Sequence, residues 1–212
     1  MKHAVLYTLL WLLGLLTACS GDDYHYPSVK LEFLTARSGS NGYLTSVMTD
    51  KGETYAVTQD DSGLRVGADS TLRILSQYEL LPEGVRLYAV ARAISPLPRE
   101  TDAFKEGVVT DPVELVSIWK GWNYLNLLVN VREPQGRHSF HFVEEQAEAS
   151  AVQLRLYHKS ESSVQAYGQR VYLSIPLAPY LNQCGEEGLS VTLTLQTYQD
   201  EVTYTFHYNQ PS

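Results

Sequence analysis

Apolar and polar residues alternate with a period of two along most of the chain, the spacing of a strand with one buried and one wet face. In Val29-Lys30-Leu31-Glu32-Phe33 the odd positions are apolar and the even ones charged. A second strand is predicted over residues 43–49, and Asp50-Lys51-Gly52 turns it into a third over 53–57 as a hairpin. Residues 64–66 and 71–80 read as further strands, and Val85-Arg86-Leu87-Tyr88-Ala89-Val90-Ala91 alternates again. About five strands in so short a span predict a Greek-key barrel of the OB type over residues 28–95. Ser95-Pro96-Leu97-Pro98 breaks the rhythm, and residues 96–110 read as a linker. Alternation then resumes. Leu125, Leu127, Val129 and Val131 share one face, with Asn126 and Asn130 opposite; strands follow around Phe140 and Phe142, Leu154, Leu173, Leu193 and Phe206. Six or seven such strands predict an antiparallel, immunoglobulin-like β-sandwich over 111–212. The fold expected is all-β: an OB-like five-stranded barrel followed by a sandwich. Helical turns are expected only over 102–106 and 178–184.

The first residues follow another pattern. Lys2 is followed by an apolar stretch from Ala4 to Leu16, broken only by Tyr7, Thr8 and Gly14. That matches a signal-peptide core and falls short of the roughly 18–20 apolar residues a spanning helix needs. It ends in Leu16-Thr17-Ala18-Cys19, which matches the bacterial lipobox. Small residues admit the peptidase to the Ala18–Cys19 bond, and the Cys19 thiol receives a diacylglycerol. Several acyl chains anchor stably where a single chain is marginal. Residues 1–18 therefore read as a signal peptide. Residues 19–27, with Ser20, Gly21, Asp22 and Asp23, read as a flexible lipidated tether that cannot bury enough apolar area to fold. Removal of the leader leaves Cys184 as the only other cysteine, so no internal disulfide is expected. Asn182-Gln183-Cys184-Gly185 reads as a turn holding a structural thiol.

The charge narrows the partners. The chain carries 24 acidic against 16 basic residues, a formal net charge of −8, and loss of Lys2 with the leader makes it one unit more negative. Such a balance does not seek nucleic acid. The partners expected are a membrane, through the N-terminal lipid, and a protein, peptide or glycan ligand.

The residues suited to chemistry do not assemble into a familiar motif. His138 and His141 are three apart on a predicted strand and point to opposite faces, the wrong spacing for a two-histidine metal pair. No metal site or cofactor is expected. The acidic pairs Asp60-Asp61 and Glu144-Glu145 are adjacent in sequence, so their side chains diverge on a strand; a glycosidase pair needs two opposed carboxylates. No nucleophile elbow, dinucleotide fingerprint or phosphate loop is present, and the chain reads as non-enzymatic. Aromatic residues are more suggestive, with 15 Tyr and 3 Trp. Trp119 and Trp122, in Ser117-Ile118-Trp119-Lys120-Gly121-Trp122-Asn123, suit either a binding lip that stacks on a sugar or peptide, or a plug at the sandwich core or the domain junction. Tyr88, Tyr157 and Tyr172 fall at outward strand positions.

Several segments resemble one family. Cys19 with its acidic, Tyr-rich tether, Tyr26-Pro27-Ser28-Val29-Lys30-Leu31, Met48-Thr49-Asp50-Lys51-Gly52-Glu53-Thr54-Tyr55, Asn123-Tyr124-Leu125-Asn126-Leu127 and Tyr172-Leu173-Ser174-Ile175-Pro176-Leu177 are similar, in order and spacing, to the NigD-like lipoproteins of Bacteroidota. The resemblance covers nearly the whole mature chain and implies an N-terminal OB-like domain and a C-terminal β-sandwich. The family takes its name from a bacteriocin gene cluster, which suggests an immunity or accessory role. The tether also resembles the acidic export signal that places Bacteroidota lipoproteins on the outer face of the outer membrane; the periplasmic face is the alternative. Asp69-Ser70-Thr71 matches a short O-glycosylation acceptor pattern of the same bacteria, with Ser70 as the acceptor. The expectation is a cell-envelope lipoprotein acting as a non-catalytic binding or accessory module of the outer membrane. Its rivals are a bacteriocin-immunity-type self-protection protein and a cryptic glycan-active enzyme.

Overall fold

In a computed structural model the described residues are 27–132, 137–161 and 168–209. Five strands come first: β1 (Val29–Ser38), β2 (Leu44–Thr49), β3 (Thr54–Asp60), β4 (Thr71–Leu81) and β5 (Gly84–Arg92). They close into a barrel in the order β1-β2-β3-β5-β4. β1 pairs antiparallel with both β2 and β4, and β3 closes the barrel by parallel pairing with β5. That is the OB arrangement. Its core is formed by Leu34, Ala36, Val47, Ile74, Tyr78, Val85 and Leu87.

The barrel departs from the sequence pattern in two places. Residues 64–66 form no strand; Leu64 and Val66 pack on the barrel core from outside the sheet, and the Val66 N–H donates to the Gly42 carbonyl at 3.2 Å. Once β3 has paired with β5 the barrel has no open edge left for them. In β1 it is Leu34 and Ala36, at even positions, that enter the core, whereas Leu31 is 54% exposed and Val29 46%. The apolar odd face of β1 is the outside of the barrel, where Phe33 is buried at 3% exposure and the polar Thr35 at 8%.

The remaining strands are β6 (Arg99–Glu100), β7 (Glu114–Lys120), β8 (Tyr124–Val131), β9 (His138–Glu148), β10 (Ala151–Ser160), β11 (Gln169–Pro176), β12 (Leu189–Gln196) and β13 (Glu201–Tyr208). A three-stranded sheet ordered β11-β8-β7 faces a five-stranded one ordered β13-β12-β10-β9-β6. Leu125, Leu127, Phe142, Leu154, Leu173 and Leu193 fill the space between them with no exposure. Both expected helical turns are present, a 3-10 turn at Thr101–Ala103 and α1 at Ala178–Leu181. The sandwich is not purely antiparallel, because β10 pairs parallel with β12, and β6 with β9. Between β10 and β12 the chain crosses to the other sheet as β11 and returns, and such a crossover brings it back in the same direction.

Residues 96–110 are not a free linker. Ile94 bonds to β11, donating to the Tyr172 carbonyl at 3.3 Å and accepting from the Ser174 N–H at 3.0 Å. β6 joins the edge of the five-stranded sheet, and Thr110 bridges to His158. The two prolines of this stretch, Pro96 and Pro98, fall at positions outside the β6 ladder.

Candidate functional site

The outer face of the three-stranded sheet lies against the barrel, and a buried polar cluster fastens the two. Arg73, on β4 between the apolar Leu72 and Ile74, is 5% exposed. Its guanidinium donates to Asp50 Oδ1 at 2.5 Å, Asn126 Oδ1 at 3.1 Å, Ser174 Oγ at 3.1 Å and Thr35 Oγ1 at 3.2 Å. Asn126 Nδ2 donates to Asp50 Oδ2 at 2.7 Å, and Ser174 Oγ donates to Asn126 Oδ1 at 2.7 Å. The ring of Tyr124 lies 4.1 Å from the guanidinium carbon and that of Phe33 lies 5.2 Å from it. Burial pushes the Arg73 pKa down, and the Asp50 carboxylate opposes that shift. A guanidinium is basic enough that the side chain stays charged at neutral pH. Desolvating such a pair is costly, and it is tolerated where nearly every donor and acceptor is satisfied, as here.

Two glycines let the turns close over this cluster. A Cβ on Gly121 would lie 2.6 Å from Asp50 Oδ1. Gly52 has a φ of +86°, and a Cβ there would meet the Trp122 ring at 2.9 Å. Trp122 therefore covers the β2–β3 hairpin of the barrel, and Trp119 packs on Phe33 with ring centroids 5.8 Å apart. Both tryptophans of the sequence motif sit at the domain junction, yet each keeps an exposed face, at 36% for Trp119 and 41% for Trp122. Trp119, Leu31 and Phe33 line a groove of about 410 Å³ with Lys51, Lys120 and Glu32 at its polar side. Sequence reasoning reached Trp119 and Trp122 through their aromatic character but missed Asp50, Arg73, Asn126 and Ser174. The available signal was one arginine inside an apolar strand, with small polar residues at matching positions on two others.

The other singled-out residues lie apart from this junction. Ser70 is half-buried; its hydroxyl donates to the Gly67 carbonyl at 2.8 Å and lies 3.2 Å from Ser38 Oγ, bonds that a sugar on Ser70 would displace. Asp60 accepts from Ser62 and Asp61 from Arg86, while Glu144 accepts from Tyr180 and Glu145 from Arg155. His138 stacks on His158, with Nδ1 and Nε2 3.0 Å apart, whereas His141 meets Phe104 and Tyr157 on the other face of β9. Burial and then the Arg99 charge push the His141 pKa down. Among the described residues no group of three or more His, Cys, Asp or Glu is placed to hold a metal ion. Cys184 is buried in the sandwich core, its thiol against the Leu181 carbonyl at 3.3 Å. Ala18 and Cys19 lie outside the described residues.

A closed OB-type barrel clamped to the outer face of a β-sandwich through a buried ionic cluster defines a two-domain, all-β class of protein. The family model described as the NigD-like C-terminal beta sandwich domain matches residues 95–208, more than half of the chain. The chain belongs to the NigD-like family. A crystal structure of a NigD-like immunity protein from Bacteroides caccae is 29% identical, covers 89% of this chain and 100% of its own, and superposes with a TM-score of 0.75. Two more distant structures share the fold. A protein of unknown function from Bacteroides vulgatus is 18% identical, with 85% and 91% coverage and a TM-score of 0.65. A toxin-related protein from Parabacteroides distasonis is 15% identical, with 86% and 94% coverage and a TM-score of 0.71. No curated protein matches the chain.

Proposed function

We propose that this NigD-like protein is a lipid-anchored, non-catalytic binding module on the outer membrane, displayed at the cell surface, which presents its domain junction to a partner. The observation that carries this reading is the junction groove, where large apolar side chains remain exposed beside a rigid, buried clamp. Leu31 and Trp119 expose apolar area together at this one groove, with Lys51 and Lys120 at the rim. Exposed aromatic and aliphatic anchors with a polar rim are the anatomy of a binding surface. The lipobox at Cys19 and the acidic tether supply the anchor, and β1, which lines this groove, follows the tether in the chain.

The test is affinity capture from solubilised envelopes of the producing strain, comparing the native chain with Trp119→Ala/Leu31→Ser. A partner retained by the native chain and reduced at least tenfold by the double variant is expected. Equal capture by both would rule the groove out.

A second reading is self-protection against a peptide toxin, and it is favoured by the Bacteroides caccae relative being an immunity protein. It expects a deletion strain to become sensitive to culture supernatant of its own parent; unchanged growth speaks against it.

A further inference from the structure

On the opposite side of the junction a second cleft, of about 500 Å³, lies between the end of β5 and the edge of β11. Four consecutive residues of β11, from Gln169 to Tyr172, line it. Successive side chains of a strand point to opposite faces, so a cleft touched by all four meets the strand edge-on. The backbone confirms the orientation. Tyr172 C=O and Ser174 N–H are turned away from β8 toward Ile94. The N–H and C=O of one strand residue point to the same side, and alternate residues repeat it. The Arg170 N–H and C=O and the Tyr172 N–H therefore face the cleft. Among the described residues β11 has β8 as its only neighbouring strand in the sheet order, and the Ile94 bridge stops short of Arg170.

The side chains around this edge add a charge preference. Arg92 and Arg170 both line the cleft, and no Asp or Glu does. In a chain with 24 acidic residues neither arginine has a carboxylate partner among the described residues; Arg92 donates to the Arg65 carbonyl at 3.4 Å. Leu75, Ile94 and Phe140 supply the apolar part of the lining. A single edge charge is a common guard against strand pairing. Two arginines without acid partners among the described residues, above an apolar lining and beside backbone groups with no strand partner among them, instead match a strand-addition site.

We infer that this cleft binds an extended peptide segment as an added strand on β11, with acidic side chains of the peptide paired to Arg92 and Arg170. The inference rests on the reading of the chain as a binding module and gives that module a partner class at a site separate from the Trp119 groove. Its test uses the purified full chain and peptides alone, so failure here leaves the envelope capture unaffected.

Random twelve-residue peptides displayed on phage are selected against the full chain, and an enriched peptide is synthesised. Enrichment of sequences that alternate apolar with Asp or Glu residues is expected. R92E and R170E, with circular dichroism unchanged, each weaken binding at least tenfold, whereas R92K and R170K retain most of it. Methylation of peptide amide nitrogens along one strand edge abolishes binding, and along the other edge it is tolerated. Hydrogen exchange at the amides of Arg170 and Tyr172 slows in the complex. No enrichment, binding indifferent to the charge reversals, or equal tolerance of methylation on both edges overturns the inference.

Discussion

Arg73 places a full charge where almost no water reaches, with one carboxylate, one amide oxygen and two hydroxyls within bonding distance. Taking away its counter-ion leaves that charge buried and uncompensated, a loss of about 3–5 kcal/mol in comparable pairs. Asp50→Ala is expected to lower the unfolding free energy by about 3 kcal/mol in urea titration, toward the low end because the Asp50 side chain is 20% exposed. Gly121→Ala acts on the same carboxylate by steric contact and is expected to cost about 1–3 kcal/mol, whereas Gly185→Ala, with open space at its Cβ, stays within about 0.5 kcal/mol. His141 responds to pH instead. Its folded-state pKa lies below the ordinary 6.5, so as pH falls the unfolded chain takes up this proton first and stability declines. His141→Gln removes the effect, and the fall in Tm between pH 7.5 and pH 5.5 is expected to be smaller in the variant. None of the Arg73 cluster was readable from sequence spacing, because Arg73 and its partners lie 23, 38, 53 and 101 positions apart. Only the fold brings them together.

Strand elements were the most legible level, because a half-buried strand must alternate whatever its partner. Alternation does not record which face is which, so β1 carries its apolar odd positions on the outside of the barrel. Nor does it separate a short extended segment from a paired strand, and residues 64–66 pack on the barrel without joining it. The Pro-rich stretch reads as a linker because prolines usually mark breaks, yet β6 needs only two residues and uses an edge where missing N–H groups matter little. Barrel closure depends on one position that the pattern also leaves silent. Gly84 has a φ of +149°, and a Cβ there would lie 2.3 Å from the Ala56 carbonyl oxygen across the β3–β5 seam. Gly84→Ala is expected to loosen that seam at a cost of about 1–3 kcal/mol. Native-state hydrogen exchange should show faster exchange in β3 and β5 with the β8 and β12 amides unchanged; uniform acceleration in all four would mean the seam is not a local element.

At the scale of the whole molecule, the described residues of the two domains share a buried clamp, a parallel backbone bridge at Ile94 and a junction whose two sides carry different chemistry. The Trp119 side is aromatic and apolar, and the β11 side is cationic and open along a strand edge. The proposed binding surfaces, one beside β1 and one beside β11, suit the proposed module held close to a membrane by a short tether. That arrangement has meaning only if the molecule is anchored, so the anchor is the claim to test first. Cells expressing the native chain or Cys19→Ser are grown with radiolabelled palmitate, and the protein is isolated. Label is expected on the native chain and none on the variant. Equal label on both, or an unlabelled native chain released into the soluble fraction, would contradict it.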